Sequence, residues 1–366
     1  MGRQRVTLQT LADQLGVSRT TASNAFSRPD QLSDELRTRV LDAARELGYA
    51  GPDPAARTLR AGTAGAIGVL LPESLSYMLN DPYASAIMRG LAYVTDTQAL
   101  SLLLIPVPPG QLQEQAVRRA VVDAFFIFTM PAGHPAVDIA LCRNVPVVTA
   151  DSPKLDDHPF IGVDEYAAGR EIAAHVLAAG RRRLGVITFR LRDDEVAGDV
   201  DDDRISSGTY RSSVARLRGV LDAANDAGVS RSRVRILEVR LNAPENGRHA
   251  AAALLDGAEP PDAILCLSDQ LAAGAMQELT ARGMAIPDDV AVTGWDDTVT
   301  AQTHGLTTMR QPDEEKARIA AQWLIDGVQG ARRQVLPTQL VVRESTSRPA
   351  KHVQVPRRGL GPTTMG

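Results

Sequence analysis

Three polar side chains on one predicted helix could read the edges of DNA bases. In the segment SRTTASNAFS, Arg19 lies at the N-terminal end, and Thr20 and Asn24 lie one turn apart on the polar face. An arginine can bind guanine through two donors, and an asparagine can bind adenine through its amide. A plain helical bundle with a solvated polar face shows the same pattern, so the helical stripes alone leave both interpretations open.

The elements around this helix predict a compact helical unit in the first fifty residues. The first helix begins after Thr7 and ends at Gly16, Ser18 caps the second, and the third runs from near Ser33 to Gly48. Apolar residues at helical spacing are Leu8, Leu11, Ala12, Leu15, Ala22, Ala25, Phe26, Leu36, Val40, Ala43, Ala44 and Leu47. Two short helices separated by a tight turn and followed by a third are typical of a helix-turn-helix domain.

The chain beyond residue 65 alternates predicted strands with predicted helices. Apolar runs bounded by turn residues lie at 66–71, 100–107, 124–129, 145–150, 184–189, 263–267 and 290–294. Continuous apolar strands with helices between them indicate parallel sheets that are covered on both faces. We therefore expect two doubly wound halves, with a ligand site outside the carboxyl ends of their strands.

Composition excludes several classes of protein. The chain has 366 residues, of which 44% are hydrophobic and 23% charged, and these values exclude collagen and wholesale disorder. No apolar run approaches the roughly 20 residues of a membrane helix, and the N-terminus lacks the apolar core of a secretory signal. We therefore expect a cytoplasmic protein without membrane contact, in which Cys142 and Cys266 are reduced.

Motifs and charge argue against catalysis and leave DNA binding open. The sequence contains no P-loop, no GxGxxG after a strand, no GxSxG and no HExxH, and its six histidines show no metal-ligand spacing. We therefore expect no enzymatic activity, no metal and no cofactor. Residues 1–60 hold nine Arg, no Lys and seven acidic residues, so this part is weakly basic although the whole chain has a net charge of −4.

The first fifty residues resemble the head of a LacI-family transcriptional regulator. The match is continuous from Val6 to Tyr49 and includes the stretch VSRTTAS at 17–23. The resemblance implies that Arg19, Thr20 and Asn24 read the operator. It also implies contacts to the DNA backbone or its phosphates. Such contacts fix the register of the protein on the duplex and do not read the base sequence. The residues for these contacts are Thr7, Ser18, Thr21 and Ser23.

The segment that follows, GPDPAARTLRAGTAGA, has two possible interpretations. A flexible tether between domains would have this Pro-, Gly- and Ala-rich composition. The resemblance implies instead a hinge helix near Pro54, two copies of which pair in the minor groove, with Leu59 as the wedge between base steps and Ala56 allowing close approach. A helix this short is marginal in isolation, so it could form only with DNA and a partner chain.

The rest of the chain resembles the effector domain of the same family, whose core is similar to a periplasmic sugar-binding protein. The matching segments include IGVLLPES, NDPYASAIMRGL, PDDVAVTGWDD and LTTMRQP. The effector contacts that this resemblance implies are Tyr83, Asp164, Arg216, Leu241, Ser268 and Asp296. Judged by position alone, Asp164 and Asp296 would be helix N-caps and Arg216 a surface ion pair. Planar donors and carboxylate acceptors suit a sugar, although Leu241 stands where many members have a stacking aromatic residue.

Together these observations predict the domain organisation. We expect an α/β fold with a three-helix helix-turn-helix domain at 1–50, a hinge or linker at 51–65, and a periplasmic-binding-protein-like region at 66–350. That region would contain two doubly wound parallel-sheet subdomains, with the first crossover near 163, and would be followed by a flexible tail at 351–366. The acidic segment 190–213 is expected to be a mobile surface loop that could cover the effector.

The expected function is transcriptional repression controlled by a small molecule. A homodimer would bind a pseudo-palindromic double-stranded operator, and a sugar or related metabolite in the cleft would change operator affinity by shifting the population between two cleft geometries. The alternative is a corepressor-dependent repressor, or an activator, with a non-sugar effector. The tail lacks leucine heptads, which favours a dimer over a tetramer.

Overall fold

The computed structural model describes residues 6–51, 62–108 and 114–347. The chain divides into two compact units, Met1–Ala64 and Gly65–Gly366. The predicted hinge residues Ala56 and Leu59, together with the predicted tail, lie outside the described residues.

The small unit is the predicted three-helix domain. Its helices are α1 (Leu8–Leu15), α2 (Arg19–Ser27) and α3 (Asp34–Leu47), with a 3₁₀ turn at Pro29–Gln31. Gly16 ends α1 in the left-handed region at φ 66°, a conformation that glycine adopts without steric cost. The core that holds the helices together consists of Leu8, Leu11, Ala12, Ala22, Ala25, Val40, Ala43 and Ala44. The apolar stripes of the sequence therefore meet as predicted.

The large unit contains the remaining elements, which alternate as the sequence predicts. Its strands are β1 (Ala66–Leu71), β2 (Ser101–Pro106), β3 (Ala124–Phe128), β4 (Val147–Ala150), β5 (Phe160–Val163), β6 (Leu184–Phe189), β7 (Gly198–Asp199), β8 (Val234–Val239), β9 (Ala263–Cys266), β10 (Ala291–Asp296), β11 (Thr307–Arg310), β12 (Arg333–Leu336) and β13 (Gln339–Val341). Its helices are α4 (Leu75–Asn80), α5 (Pro82–Thr97), α6 (Glu114–Arg119), α7 (Pro135–Leu141), α8 (Glu165–Ala178), α9 (Asp202–Ser206), α10 (Arg211–Asp226), α11 (Pro244–Leu255), α12 (Asp269–Ala281), α13 (Val299–Thr303) and α14 (Asp313–Ile325). No helix in the described ranges has both the length and the apolar character that crossing a membrane requires.

A six-stranded parallel sheet forms the first subdomain. Its strand order is β12-β5-β4-β3-β1-β2, and Val69 of β1 pairs with Leu104 of β2 and Phe126 of β3. Successive residues of β1 point to opposite faces, so Val69 packs under α5 and α14 while Leu70 packs under α6 and α7. Both faces are covered, which explains why these strands are continuously apolar.

A seven-stranded sheet forms the second subdomain. Its order is β13-β11-β10-β9-β6-β8-β7, with antiparallel strands at the two edges and parallel strands between them. Helices α8 and α10 cover one face, and α11 and α12 cover the other. The chain passes from the first sheet to the second after β5, returns after β11, and passes again after β12. The carboxyl ends of the parallel strands of both sheets can therefore border one cleft.

The acidic segment 190–213 differs from the predicted mobile loop. It contains β7, which pairs with β8, and the short helix α9. Arg204 of α9 donates hydrogen bonds to both carboxylate oxygens of Asp194 and of Glu238, at 2.6–2.9 Å. Charge-assisted bonds of this kind are strong when partly buried, so Arg204 fixes α9 against the edge of the second sheet.

Candidate ligand cavity and DNA-facing helix

A cavity lies between the two subdomains of the large unit, where parallel strands of both sheets end. It encloses about 750 Å³ of empty space, part of which opens to solvent. Its lining residues end or follow β1, β3, β4, β6, β8 and β10, or lie in or directly before α4, α5 and α10. They are Pro72, Glu73, Tyr77, Met78, Asp81, Tyr83, Ala84, Phe128, Thr129, Asp151, Phe189, Arg190, Tyr210, Ser212, Ser213, Arg216, Arg240, Asn242 and Asp296. This is the expected place for a small-molecule site.

The first subdomain contributes a buried charge pair to the cavity wall. Lys316 of α14 is fully buried, and its Nζ donates to the two carboxylate oxygens of Asp151 at 2.8 and 3.0 Å. The hydroxyl of Tyr83 also donates to Asp151. Burial raises the pKa of Tyr83 well above its ordinary value, so the phenol remains a donor at neutral pH. Asp151 is thereby oriented by two donors, Lys316 behind the cavity wall and Tyr83 within it.

The second subdomain contributes an arginine that is clamped from behind. Nε and Nη2 of Arg216 donate to Glu165 at 2.6 and 2.8 Å, and Nη1 donates to the carbonyl of Leu267 at 3.3 Å. The guanidinium also lies over the ring of Trp295, 4.5 Å from its centroid. Arginine carries five N–H donors, so this arrangement fixes the plane of the guanidinium and leaves two donors for a ligand.

Asp296 supplies an acceptor close to this arginine. One carboxylate oxygen accepts a hydrogen bond from Gln311 Nε2 at 2.7 Å. Its φ of 100° lies in the region that favours glycine, and strained residues of this kind cluster at functional sites. Burial raises the pKa of Asp296 well above the ordinary Asp value, and Arg216 opposes that rise. A ligand hydroxyl that donates to Asp296 would therefore act on a poorly solvated carboxyl group.

Contacts between the subdomains border the cavity at a separate point. Arg190 Nη2 lies 2.8 Å from Glu73 Oε1, the Tyr77 hydroxyl donates to the carbonyl of Asn242 at 3.4 Å, and Asn242 Nδ2 donates to Asp81 at 3.1 Å. Burial raises the pKa of Glu73 to about 7, although Arg190 lowers it. The carboxyl group therefore titrates near neutral pH.

The small unit presents the polar face of α2. Arg19 and Thr20 are exposed, and Asn24 is half-buried, with its Nδ2 donating to Gln31 Oε1 at 3.1 Å. Ser18 caps α2 by accepting from the backbone N–H of Thr21 at 3.0 Å. Side chains that could reach base edges therefore lie on the surface of the second helix, as a helix-turn-helix requires.

Comparisons with known proteins decide the family. Residues 7–51 match the model described as bacterial regulatory proteins, lacI family, and residues 173–346 match a periplasmic binding protein-like domain. An HTH-type transcriptional regulator of Mycobacterium tuberculosis is 39% identical over 354 residues, which cover 95% of this chain and 99% of that protein. The chain belongs to the LacI family of transcriptional regulators.

Solved structures of LacI-family proteins have the same fold. A LacI-family regulator of Corynebacterium glutamicum is 32% identical, with a TM-score of 0.72, and the match covers 94% of this chain and all of that one. The lac repressor dimer bound to operator and the anti-inducer ONPF has a TM-score of 0.73 at 24% identity, covering 94% of this chain and 99% of that one. The predicted fold class, the helix-turn-helix head and the two-subdomain effector region are confirmed.

The structure of this LacI-family chain brings together three of the six residues expected to contact an effector. Tyr83, Arg216 and Asp296 line the cavity. The other three, Asp164, Leu241 and Ser268, are not among its lining residues.

Local contacts explain these three departures. Asp164 is exposed and caps α8 by accepting from the Ala167 N–H at 2.9 Å, and Ser268 caps α12 and donates to Asn242. Leu241 is 39% exposed, whereas the residues on either side of it line the cavity.

Several cavity residues of this LacI-family regulator were missed by sequence reasoning. They are Glu73, Asp81, Asp151, Arg190, Tyr210 and Asn242, with Glu165 and Lys316 as buried partners. A signal existed for Asp151 and Arg190, because each directly follows a predicted apolar strand. Within the described ranges, no group of three or more His, Cys, Asp or Glu is arranged to hold a metal ion.

Proposed function

We propose that this LacI-family regulator is a homodimeric repressor. Its head, residues 1–50, binds a pseudo-palindromic operator, and its cavity binds a neutral, hydroxyl-rich effector such as a sugar, which relieves repression. Residues 51–65 would connect the two functions, and 66–350 would bind the effector and form the dimer. The protein would act by binding and not by catalysis.

The exposed face of α2 supports the DNA-binding part of this proposal. Arg19 and Thr20 are free to enter a major groove, and Asn24 presents an amide beside them. The lac repressor, whose solved structure is a dimer bound to operator, has the same fold. A two-fold dimer places two such helices on half-sites about one helical turn apart.

The observation that carries the effector proposal is the mixture of oriented donors and acceptors in the cavity wall. Arg216 supplies planar donors, and Asp151 and Asp296 supply carboxylate acceptors, all held by protein partners behind them. A hydroxyl group both donates and accepts, so a compound with several hydroxyls can satisfy all three. Since the wall comes from both subdomains, such a ligand would favour one closure of the cleft over another.

Operator selection followed by effector titration tests the proposal. We expect the full chain to retain a palindromic sequence from random duplexes in a gel shift, with binding that weakens steeply with salt. A thermal-shift screen of neutral sugars and polyols then identifies a binding compound, which should release the operator. No preference over random competitor DNA would refute the DNA-binding proposal.

A pair of variants separates the cavity from its surroundings. Asp296→Asn replaces one carboxyl oxygen of the cavity wall by an NH₂ donor and should abolish release by the compound while leaving operator binding without the compound intact. Asp164→Asn changes an exposed helix cap outside the cavity lining and should respond as wild type does. Loss of response in Asp164→Asn but not in Asp296→Asn would overturn the assignment of the cavity.

A further inference from the structure

Glu73 and Arg190 form an ion pair that joins the two subdomains inside the cavity. Glu73 follows β1 of the first sheet, and Arg190 follows β6 of the second. Arg190 Nη2 and Glu73 Oε1 are 2.8 Å apart, and the two side chains are only 11% and 15% exposed. Both residues line the cavity, so a ligand there lies beside the pair.

The pair is incompletely satisfied by the protein. Nε of Arg190 donates to the carbonyl of Arg240 at 3.2 Å, but its Nη1 is buried and makes no hydrogen bond to any described residue. A buried donor without an acceptor is costly, and such a group requires an explanation. The hydroxyl of Tyr210 lies beside the same guanidinium, and Tyr77 contributes a second phenol to this part of the wall. The unsatisfied donor therefore lies in polar surroundings behind the cavity wall, and a ligand hydroxyl would reach it after a small shift of the neighbouring side chains.

Electrostatics restricts the chemical group that fits here. An anionic group would be attracted by Arg190 but repelled by Glu73, and an ammonium group would meet the opposite combination. The attraction and the repulsion have opposite signs, so neither ion gains much net energy. Both terms are larger in a partly buried site than in water. A hydroxyl can accept from Nη1 of Arg190 and donate to the carboxylate of Glu73, because it has both capacities.

We propose that Glu73 and Arg190 form a second recognition point for the effector. This point selects an uncharged hydroxyl and is separate from the contacts that Arg216 and Asp296 would make with the effector. This inference rests on the proposed effector site and deepens it by naming two specificity-determining residues. Because one residue comes from each subdomain, the same hydroxyl contacts both sides of the cleft. Recognition at this point is therefore linked to closure.

Matched ligands that differ in one terminal group test the proposal. Sets built on glucose, galactose and ribose carry a terminal CH₂OH, carboxylate or aminomethyl group. Calorimetry measures their binding to the full chain at pH 8, where Glu73, with a pKa of about 7, is mostly ionised. We expect a neutral member to bind at least about tenfold more tightly than both of its charged counterparts. Glu73→Gln should reduce the ratio of affinities between the neutral and the carboxylate member at least about tenfold, since the repelling charge is gone. Arg190→Gln should do the same for the amine.

An exposed ion pair supplies the control. Arg170 and Asp226 are paired at 2.6 Å on the surface of the same subdomain as Arg190, so Arg170→Gln and Asp226→Asn should leave all three affinities unchanged. Circular dichroism and thermal unfolding verify that each variant is folded. If a single variant is unfolded, the double variant Glu73→Gln/Arg190→Gln decides the question, because it removes both charges and should lose the preference for the neutral member.

Each outcome is decisive. If the wild type and both variants prefer the neutral ligand over its charged counterparts to the same extent, the role of Glu73 and Arg190 is refuted. The effector site itself then stands. Tighter binding of a charged member to the wild type also refutes that role. If none of the neutral or charged compounds binds, the effector proposal itself fails, whereas the gel shift still reports separately on operator binding.

Discussion

Replacing Lys316 by methionine should destabilise the large unit severely. Lys316 is fully buried in α14, and its ammonium group is the counter-charge for Asp151 at 2.8 Å and for Asp313 at 3.4 Å. Methionine keeps the packing volume but removes the charge. Breaking a buried pair by removing one partner costs about 3–5 kcal/mol, because the remaining charge has no compensation.

The protonation state of Asp313 determines where in this range the cost of Lys316→Met lies. Burial raises the pKa of Asp313 to about 7, although Lys316 lowers it, so this carboxyl group can be protonated near neutral pH at low cost. The charge left behind is therefore mainly that of Asp151, and we expect a loss of about 3–4 kcal/mol and not twice that value. Since domains are stable by about 5–15 kcal/mol, this loss is a large part of the total.

Urea unfolding followed by tryptophan fluorescence measures the effect. The chain has two tryptophans, Trp295 in β10 of the second subdomain and Trp323 in α14 of the first, so the signal reports on the large unit. The double variant Lys316→Met/Asp151→Asn removes the uncompensated charge and should recover at least half of the loss.

Lys154→Met is the matched control, because this lysine is exposed, and it should change stability by less than about 0.5 kcal/mol. A Lys316→Met protein within about 1 kcal/mol of wild type, or a double variant less stable than the single one, would refute the reasoning.

Three further predictions concern the head, the cavity and the packing of helices. Arg19→Ala should reduce discrimination at one position of each half-site by about 1–3 kcal/mol, measured on single-base operator variants, whereas uniform weakening would argue against base reading. The raised pKa of Glu73, about 7, means that the folded state binds this proton more tightly than the unfolded state does. The stability it contributes is complete below about pH 4.5 and is lost as pH rises through about 7, so Glu73→Gln should flatten the fall of Tm in this window; an unchanged slope contradicts this. In Gly274→Ala the new Cβ would lie 1.9 Å from the carbonyl oxygen of Pro244, so α11 and α12 must separate. We expect a cost of about 1–3 kcal/mol by urea unfolding, and an unchanged midpoint would count against the packing.

Elements with uninterrupted apolar runs could be predicted from the sequence, and elements with polar interruptions could not. Strands β1, β3 and β6 lie within the apolar runs because both of their faces are buried. Strand β8 reads VRILEV and was missed, since Arg235 and Glu238 interrupt the run. Glu238 is nevertheless buried, and its charge is compensated by Arg204, which lies 34 residues earlier. A pairing over that distance leaves no local periodicity to detect.

The same limit applies to the candidate site. The rule that ligands bind beyond the carboxyl ends of parallel strands points to the correct edge of each sheet. Asp296 ends β10 and Asp151 follows β4 at those edges. Nothing local indicates that Glu165 sits behind Arg216, because the two are 51 residues apart. Lys316 does carry a signal, since it stands beside Ala317 in the buried stripe of α14, where an unpaired lysine would be untenable.

The origin of these partners explains how the cavity can respond to a ligand. Lys316 and Asp151 both belong to the first subdomain, and Arg216 with its partner Glu165 belongs to the second, so each half of the site is oriented without the other. The Glu73–Arg190 pair instead requires both subdomains. Opening the cleft would leave the two halves intact and would separate that pair. A ligand that binds both halves and also satisfies Arg190 would stabilise the closed geometry through contacts that the open geometry lacks, and this difference in binding energy would shift the population.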